Sequence, residues 1–249
     1  MTRCLHLVTE SCVEELEKAE DRKRNSNNPE RNQRILDAAA KLLVRFGYDK
    51  TTISDIAQEA GISKGAIYLH YASREELFQA LIMREIARYG RKFMEEIEAD
   101  PEGGTLIGMY RHTLNQLPRY PVAQAVLARD KRVLGDMLRK LDPNIYLSSM
   151  NFRAEFIRRM QAAGLVRNDL NPQITAYILS MISIGFVTID EFIGKEHAPS
   201  LEDQVNTLSA LLSSGLEVPG GNSEAGKQIY RDIIEAFSQR YDLPTDETE

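Results

Sequence analysis

Between Thr52 and Glu76 the chain sets three helix starts in close succession, and few folds accommodate that spacing. Thr52-Ile-Ser-Asp55 and Ser73-Arg-Glu-Glu76 each have the form in which a hydroxyl accepts from a first-turn amide and the carboxylate three residues on reaches back. Ser63 is a cap between them. Gly61 follows the apolar series Ile53, Ile56, Ala57 and Ala60 and can take the left-handed conformation that ends a helix. The segment therefore predicts a helix of about two turns, a turn at Ala60-Gly61-Ile62, and a second short helix.

The flanks extend the helical pattern. Ile35, Leu36, Ala39, Leu42, Leu43 and Phe46 recur at three and four residues, and Gly47 stops that amphipathic helix. From Arg74 a long helix runs to about residue 98, with Leu77, Leu81, Ile82, Ile86, Phe93 and Ile97 on one side, until Asp100-Pro-Glu-Gly-Gly104 ends it. Further helical patterns fall at about 105–118, 122–140, 146–163, 172–194, 201–215 and 224–241, separated by Pro and Gly breaks. No strand-like alternation of useful length accompanies them. The expected fold class is all-α: a three-helix N-terminal domain over 29–74, then a larger helical domain over 75–249, preceded by a polar tail, 1–28.

Charge divides along the same lines. Residues 29–92 carry a net charge of +3 and residues 93–249 a net of −8, within a chain total of −6. A basic N-terminal module on an acidic body fits a protein that meets phosphate with one end only. Arg22, Lys23 and Arg24 could act as a basic arm ahead of the first helix or be a solvated tail. Cys4 and Cys12 match no zinc or redox spacing, and the first twenty residues lack a secretory pattern, so a reduced, cytoplasmic setting is expected. The uncharged run from Asn171 to Ile189 is close to the length of a membrane span, but Asn171, Pro172, Gln173, Thr175, Ser180, Ser183 and Thr188 interrupt it. It reads better as an interface helix.

A helix-turn-helix works because its second helix is narrow enough to enter the major groove while the first braces it. Here Ile62, Ile67 and Tyr71 can pack inward while Lys64, Tyr68 and His70 point elsewhere, and Gly65 and Ala66 allow close approach to a groove wall. The hydroxyls of Thr52, Ser54, Ser63 and Tyr68 can donate to phosphate, and Lys64 and Arg74 supply charge. Periodicity alone leaves an ordinary structural helix pair as an equal reading.

The string Thr52-Ile-Ser-Asp-Ile-Ala-Gln-Glu-Ala-Gly-Ile-Ser-Lys-Gly-Ala-Ile-Tyr-Leu-His-Tyr-Ala-Ser-Arg-Glu-Glu-Leu77 closely resembles the signature of the tetracycline-repressor (TetR) family. The likeness reaches upstream to Phe46-Gly47-Tyr48 and, more loosely, to Met160-Gln-Ala-Ala-Gly-Leu-Val-Arg167, which looks like the turn before the family's dimer helices. It implies contacts to double-stranded operator DNA from Thr52, Ser54, Ser63, Lys64, Gly65, Ala66, Tyr68, Leu69, His70 and Arg74. Arg74 stands where a lysine is usual, and Ala66 where a threonine is common.

One such module covers a few base pairs, so specificity calls for a two-fold partner. Ile178, Ile182, Phe186 and Ile189, with Val205, Leu208 and Leu212 on the next helix, are the candidate homodimer interface, and the resemblance implies a four-helix bundle there. Met109, Tyr110, Leu127, Tyr146, Met150, Phe152, Phe156, Tyr177 and Met181 supply the surface for an inducer pocket, which the resemblance also implies. Arg111, His112, Arg129 and Arg153 are candidate contacts for an anionic ligand.

Gly221-Asn-Ser-Glu-Ala-Gly226-Lys227 imitates a phosphate-binding loop, but Gln228 stands where Ser or Thr is required. The histidines are scattered and no acid, base and nucleophile group together, so no metal, no cofactor and no enzymatic activity are expected. The reading is a ligand-responsive repressor that binds a palindromic operator as a dimer. Its rivals are an all-helical enzyme, an apolar-ligand carrier, and a DNA-binding activator.

Overall fold

The computed structural model describes residues 29–139 and 143–241, with side chains over 29–139, 151–194 and 196–236. The N-terminal tail, with Arg22, Lys23 and Arg24, lies outside the described residues. The chain divides into two units, the first ending at Leu81 and the second beginning at Ile82.

In the first unit, helix α1 (Pro29–Phe46) buries Ile35, Leu36, Ala39, Leu42 and Leu43 along one face and ends at Gly47, whose φ is +80°. Helices α2 (Ile53–Ala60) and α3 (Lys64–Tyr68) follow, then the first two turns of α4 (Arg74–Ala99). The core boundary falls later than residue 74 because Leu77, Phe78 and Leu81 of α4 are fully buried and complete the small core. Phe78 meets the edge of the Tyr48 ring at 4.9 Å. Burial of rings and aliphatic side chains, at ~1.5–3 kcal/mol each, is the main favourable term in so small a unit.

The second unit contains the rest of α4, then α5 (Leu106–Gln116), α6 (Pro121–Ala128), α7 (Lys131–Leu134), α8 (Pro143–Ala162), α9 (Pro172–Thr188), α10 (Asp190–Ile193), α11 (Leu201–Leu216) and α12 (Ser223–Tyr241), with short 3-10 turns between some of them. Helix α8 packs on α9 and α12, and α5 packs on α11. Leu106, Ile157, Met160, Leu165, Val166, Ala176, Leu179 and Leu212 form one buried cluster among them. Among the described residues the one β pairing is an isolated bridge between Val166 and Glu217.

The expected continuous helix over 122–140 is broken. Arg129 takes a left-handed φ of +51°, and the Asp130 carboxylate caps a new turn by accepting from the amides of Arg132 and Val133. The apolar period continues through the break at Val122, Val126, Val133 and Met137, which is why periodicity did not reveal it. The stretch Pro172–Ile193 is long and apolar enough to cross a membrane by composition, yet it divides at Ile189 into α9 and α10, and Ala176, Leu179, Ser180 and Ser183 are buried in the unit.

At the end of α4, the Asp100 carboxylate receives hydrogen bonds from the Glu102 amide, at 2.9 Å, and from Arg111, at 2.6 Å, and sits 2.8 Å from the His112 ring. Burial works to raise its pKa, but these partners outweigh burial and hold it at about 2. The Gly103–Gly104 turn that follows receives α12 backbone to backbone. Gly104 donates to Ser223 Oγ at 2.9 Å, and a Cβ on either Gly104 or Gly226 would collide with the opposing main chain. The buried Lys227 ammonium donates to the Glu98 carbonyl at 3.1 Å, and Arg231 pairs with Glu98 and Glu224. The sequence that imitated a phosphate-binding loop is thus the docking end of α12. Gly104→Ala is expected to destabilise the second unit by about 1–3 kcal/mol, read in urea unfolding, because backbone cannot yield as a side chain tip would.

Candidate nucleic-acid interface

Helix α2 opens with the full reciprocal cap. Asp55 N donates to Thr52 Oγ1 at 3.3 Å, and Thr52 N donates to Asp55 Oδ2 at 2.9 Å. The Thr52 hydroxyl also donates to Asp55 Oδ2 at 2.7 Å, and this bond, followed by the one from the Thr52 amide, lowers the Asp55 pKa. Gly61 closes the helix at φ +66°, as its position after Ala60 predicts. Ser63 Oγ then accepts from Ala66 N at 3.2 Å and starts α3. At Ser73 half of the expected arrangement forms: Glu76 N donates to Ser73 Oγ at 3.1 Å, but the Glu76 carboxylate takes the Ala72 amide instead of the cap's own.

Helix α3 is fixed from beneath. Ile67 is fully buried, Tyr71 is buried, and the Tyr71 hydroxyl donates to Asn32 on α1. Its other side is open: Ser63, Lys64 and Gly65 are exposed, Tyr68 is 54% exposed and Leu69 51%. Thr52 and Ser54 are exposed at the start of α2, and Ala66 is half-buried. Eight of the ten residues expected to meet DNA therefore share accessible surface at the start of α2 and on α3. An exposed Tyr and Leu on a capped helix, flanked by hydroxyls and a lysine, can offer stacking, apolar and phosphate contacts together.

The other two face inward. The Arg74 guanidinium donates to the carbonyls of Thr51, at 2.9 Å, and Tyr48, and its Cζ lies 3.8 Å from the Tyr48 ring centroid. Its planar fork ties the turn after α1 to the start of α4, so the charge is committed inside the protein. His70 is half-buried, and its Nε2 is buried with no hydrogen-bond partner among the described residues. Burial, with Arg31 adding repulsion, lowers its pKa, which favours the neutral ring.

In the second unit the residues expected to line a pocket separate. Met109 is buried; Tyr110, Leu127, Phe152 and Phe156 are half-buried. The side chains of Tyr146 and Met150 lie outside those described. Tyr177 and Met181 do not face inward: they are 60% and 58% exposed, on a stripe of α9 shared with Ile174, Ile178 and Ile184. Residues 174, 177, 178, 181 and 184 follow helical spacing, and that period was the signal for an outward face. Of the residues expected at the dimer interface, Ile178 and Ile189 are exposed, and Ile182, Phe186 and Leu208 are half-buried. Val205 and Leu212 are buried in the chain's own core, whereas Leu201 and Leu211 of α11 are 41% and 67% exposed.

Residues 35–81 match the family of bacterial regulatory proteins described as the tetR family. The chain is 26% identical over 156 residues to the HTH-type transcriptional regulator UidR of Escherichia coli K12, covering 61% of this chain and 77% of that one. It is 28% identical over 166 residues to the HTH-type transcriptional repressor Rv1474c of Mycobacterium tuberculosis, covering 63% and 80%. Among solved structures, the fatty acid degradation regulator FadR from Bacillus halodurans superposes with a TM-score of 0.59 at 21% identity, over 76% of this chain and 97% of that one. FadR from Bacillus subtilis in complex with stearoyl-CoA gives 0.57 at 20% identity, over 74% and 98%.

The inward course of Arg74 separates two roles by experiment. Arg74→Ala should destabilise the first unit by about 2 kcal/mol, since two carbonyls lose a charged donor and a ring loses its cation. The salt dependence of DNA binding should stay unchanged; a flatter log–log slope with unchanged stability would instead identify Arg74 as a phosphate ligand.

Proposed function

From the premise that the chain is a TetR-family transcriptional regulator and not an enzyme, we propose that it is a cytoplasmic repressor that binds a palindromic operator as a homodimer and is released by a small-molecule inducer. The observation that carries the reading is α3, a capped helix with Ile67 anchored beneath and Lys64, Gly65, Tyr68 and Leu69 open to solvent. That face lies in the major groove, with Thr52, Ser54 and Ser63 on the flanking phosphates. Arg74 and His70 hold the module's shape from within.

The second copy covers the α9 stripe. Ile174, Tyr177, Ile178, Met181 and Ile184 of α9, and Leu211 of α11, are each 41–67% exposed, and apolar side chains left open to water in this number mark a surface for a protein partner. A two-fold partner presenting the same helices buries it in a four-helix arrangement and sets two reading heads about one helical turn of DNA apart. This accounts for an uncharged helix without a membrane. In the same protein, an inducer acts by binding the DNA-incompetent arrangement more tightly than the competent one.

Gel shift with the DNA upstream of its own gene, at stated salt, tests the first claim. A discrete complex is expected, lost with Tyr68→Ala. Lys64→Ala should reduce the slope of log affinity against log salt by about 2, one phosphate from each subunit. Absence of any complex, or unchanged binding by both variants, would refute the reading.

Sedimentation tests the second claim. The wild type should run as a dimer at micromolar concentration and Met181→Asp as a folded monomer, because two carboxylates would then meet across the axis without partners. A monomeric wild type would remove the dimer.

A further inference from the structure

Five helices of the second unit bring polar groups of one character together. Tyr89 on α4, Tyr110 on α5, Arg153 on α8, Ser180 on α9 and Tyr230 on α12 form a neighbourhood in which Arg153 acts electrostatically on all three phenols. Arg153 Nη1 donates to Ser180 Oγ at 2.7 Å. Among the described residues no carboxylate pairs with it, whereas Arg111, Arg159, Arg167 and Arg231 in the same unit all have one. A half-buried cation with a neutral hydroxyl as its hydrogen-bond partner lacks the counter-charge that offsets desolvation.

The phenols reinforce that asymmetry. Burial drives the Tyr89 hydroxyl up to about 12 and also raises Tyr110 and Tyr230, outweighing the pull of Arg153, so all three remain protonated donors near neutral pH. Tyr110 donates to the Leu179 carbonyl at 2.9 Å. The Tyr230 hydroxyl has no hydrogen-bond partner among the described residues. These side chains and Arg153 each keep part of their surface accessible. Phe93 and Phe156 complete the wall, with ring centroids 5.2 Å and 6.2 Å from that of Tyr230.

We propose that this cluster binds an amphipathic organic monoanion, its carboxylate seated on the Arg153 guanidinium and its apolar body against Phe93 and Phe156. One guanidinium neutralises one charge, and aromatic walls with phenol donors suit a carboxylic acid better than a doubly charged phosphate. The proposal deepens the inducer reading above and rests on it for the ligand's regulatory role.

Calorimetric titration of the full chain with decanoate, phenylbutyrate and naphthoate, each beside its primary amide, tests the site. At least one carboxylate should bind, about tenfold more tightly than its amide, as expected of a hydrogen-bonded charge. Arg153→Gln should abolish that preference and Arg153→Lys should keep part of it. Tyr230→Phe, which removes one donor and leaves the ring, should weaken the carboxylate severalfold, and it serves if Arg153→Gln does not fold. Failure of every carboxylate to bind, equal binding of acid and amide, or a preference that survives Arg153→Gln would overturn the proposal. A gel shift run in parallel keeps the two readings apart: a carboxylate held through Arg153 that leaves the DNA complex intact removes the inducer role and not the site.

Discussion

A five-residue helix is not stable on its own hydrogen bonds, because nucleation fixes several residues before the first bond forms. Helix α3 exists because its surroundings complete it. Gly61 turns the chain at a left-handed φ, Ser63 satisfies the Ala66 amide, and Ile67 is fully buried beneath it. Stability therefore resides in the caps and in one inward face, which leaves Lys64, Gly65, Tyr68 and Leu69 with no structural duty. A surface relieved in this way can vary to read different DNA sequences without cost to the fold.

The same division explains Arg74. A guanidinium over the Tyr48 ring that donates to the Thr51 and Tyr48 carbonyls fastens the loop between α1 and α2 to the first turn of α4. A lysine has neither the fork nor the planar face for that contact. Phe78, fully buried and edge-on to Tyr48, stands beneath the same ring, so apolar packing and the cation act on one group.

What could be read in the sequence was what is local. The caps at Thr52 and Ser63 and the glycine closure at Gly61 are settled within four residues, and they appear where the string puts them. The apolar period of α1 and α4 likewise fixes which side is buried. Direction beyond that was not legible. A charge at position 74 does not reveal that its donors meet carbonyls of its own chain, and the Asp130 cap was hidden by an apolar period that runs through it. Residue type alone suggests a pocket wall for Tyr177 and Met181, whereas their spacing with Ile174, Ile178 and Ile184 marks an outer stripe. Tyr89, Arg153 and Tyr230 come from three distant helices, and no spacing along the chain announces that meeting.

The contact between Gly104 and Gly226 has a consequence beyond packing. Helix α12 is seated by main chain against main chain, and it carries Tyr230. The glycines fix where the helix begins, and Tyr230 and Ile233 then pack its length on Phe93, Phe156 and the core of the unit. A side chain at either glycine would therefore be felt four residues on, at the phenol ring that meets Phe93 and Phe156.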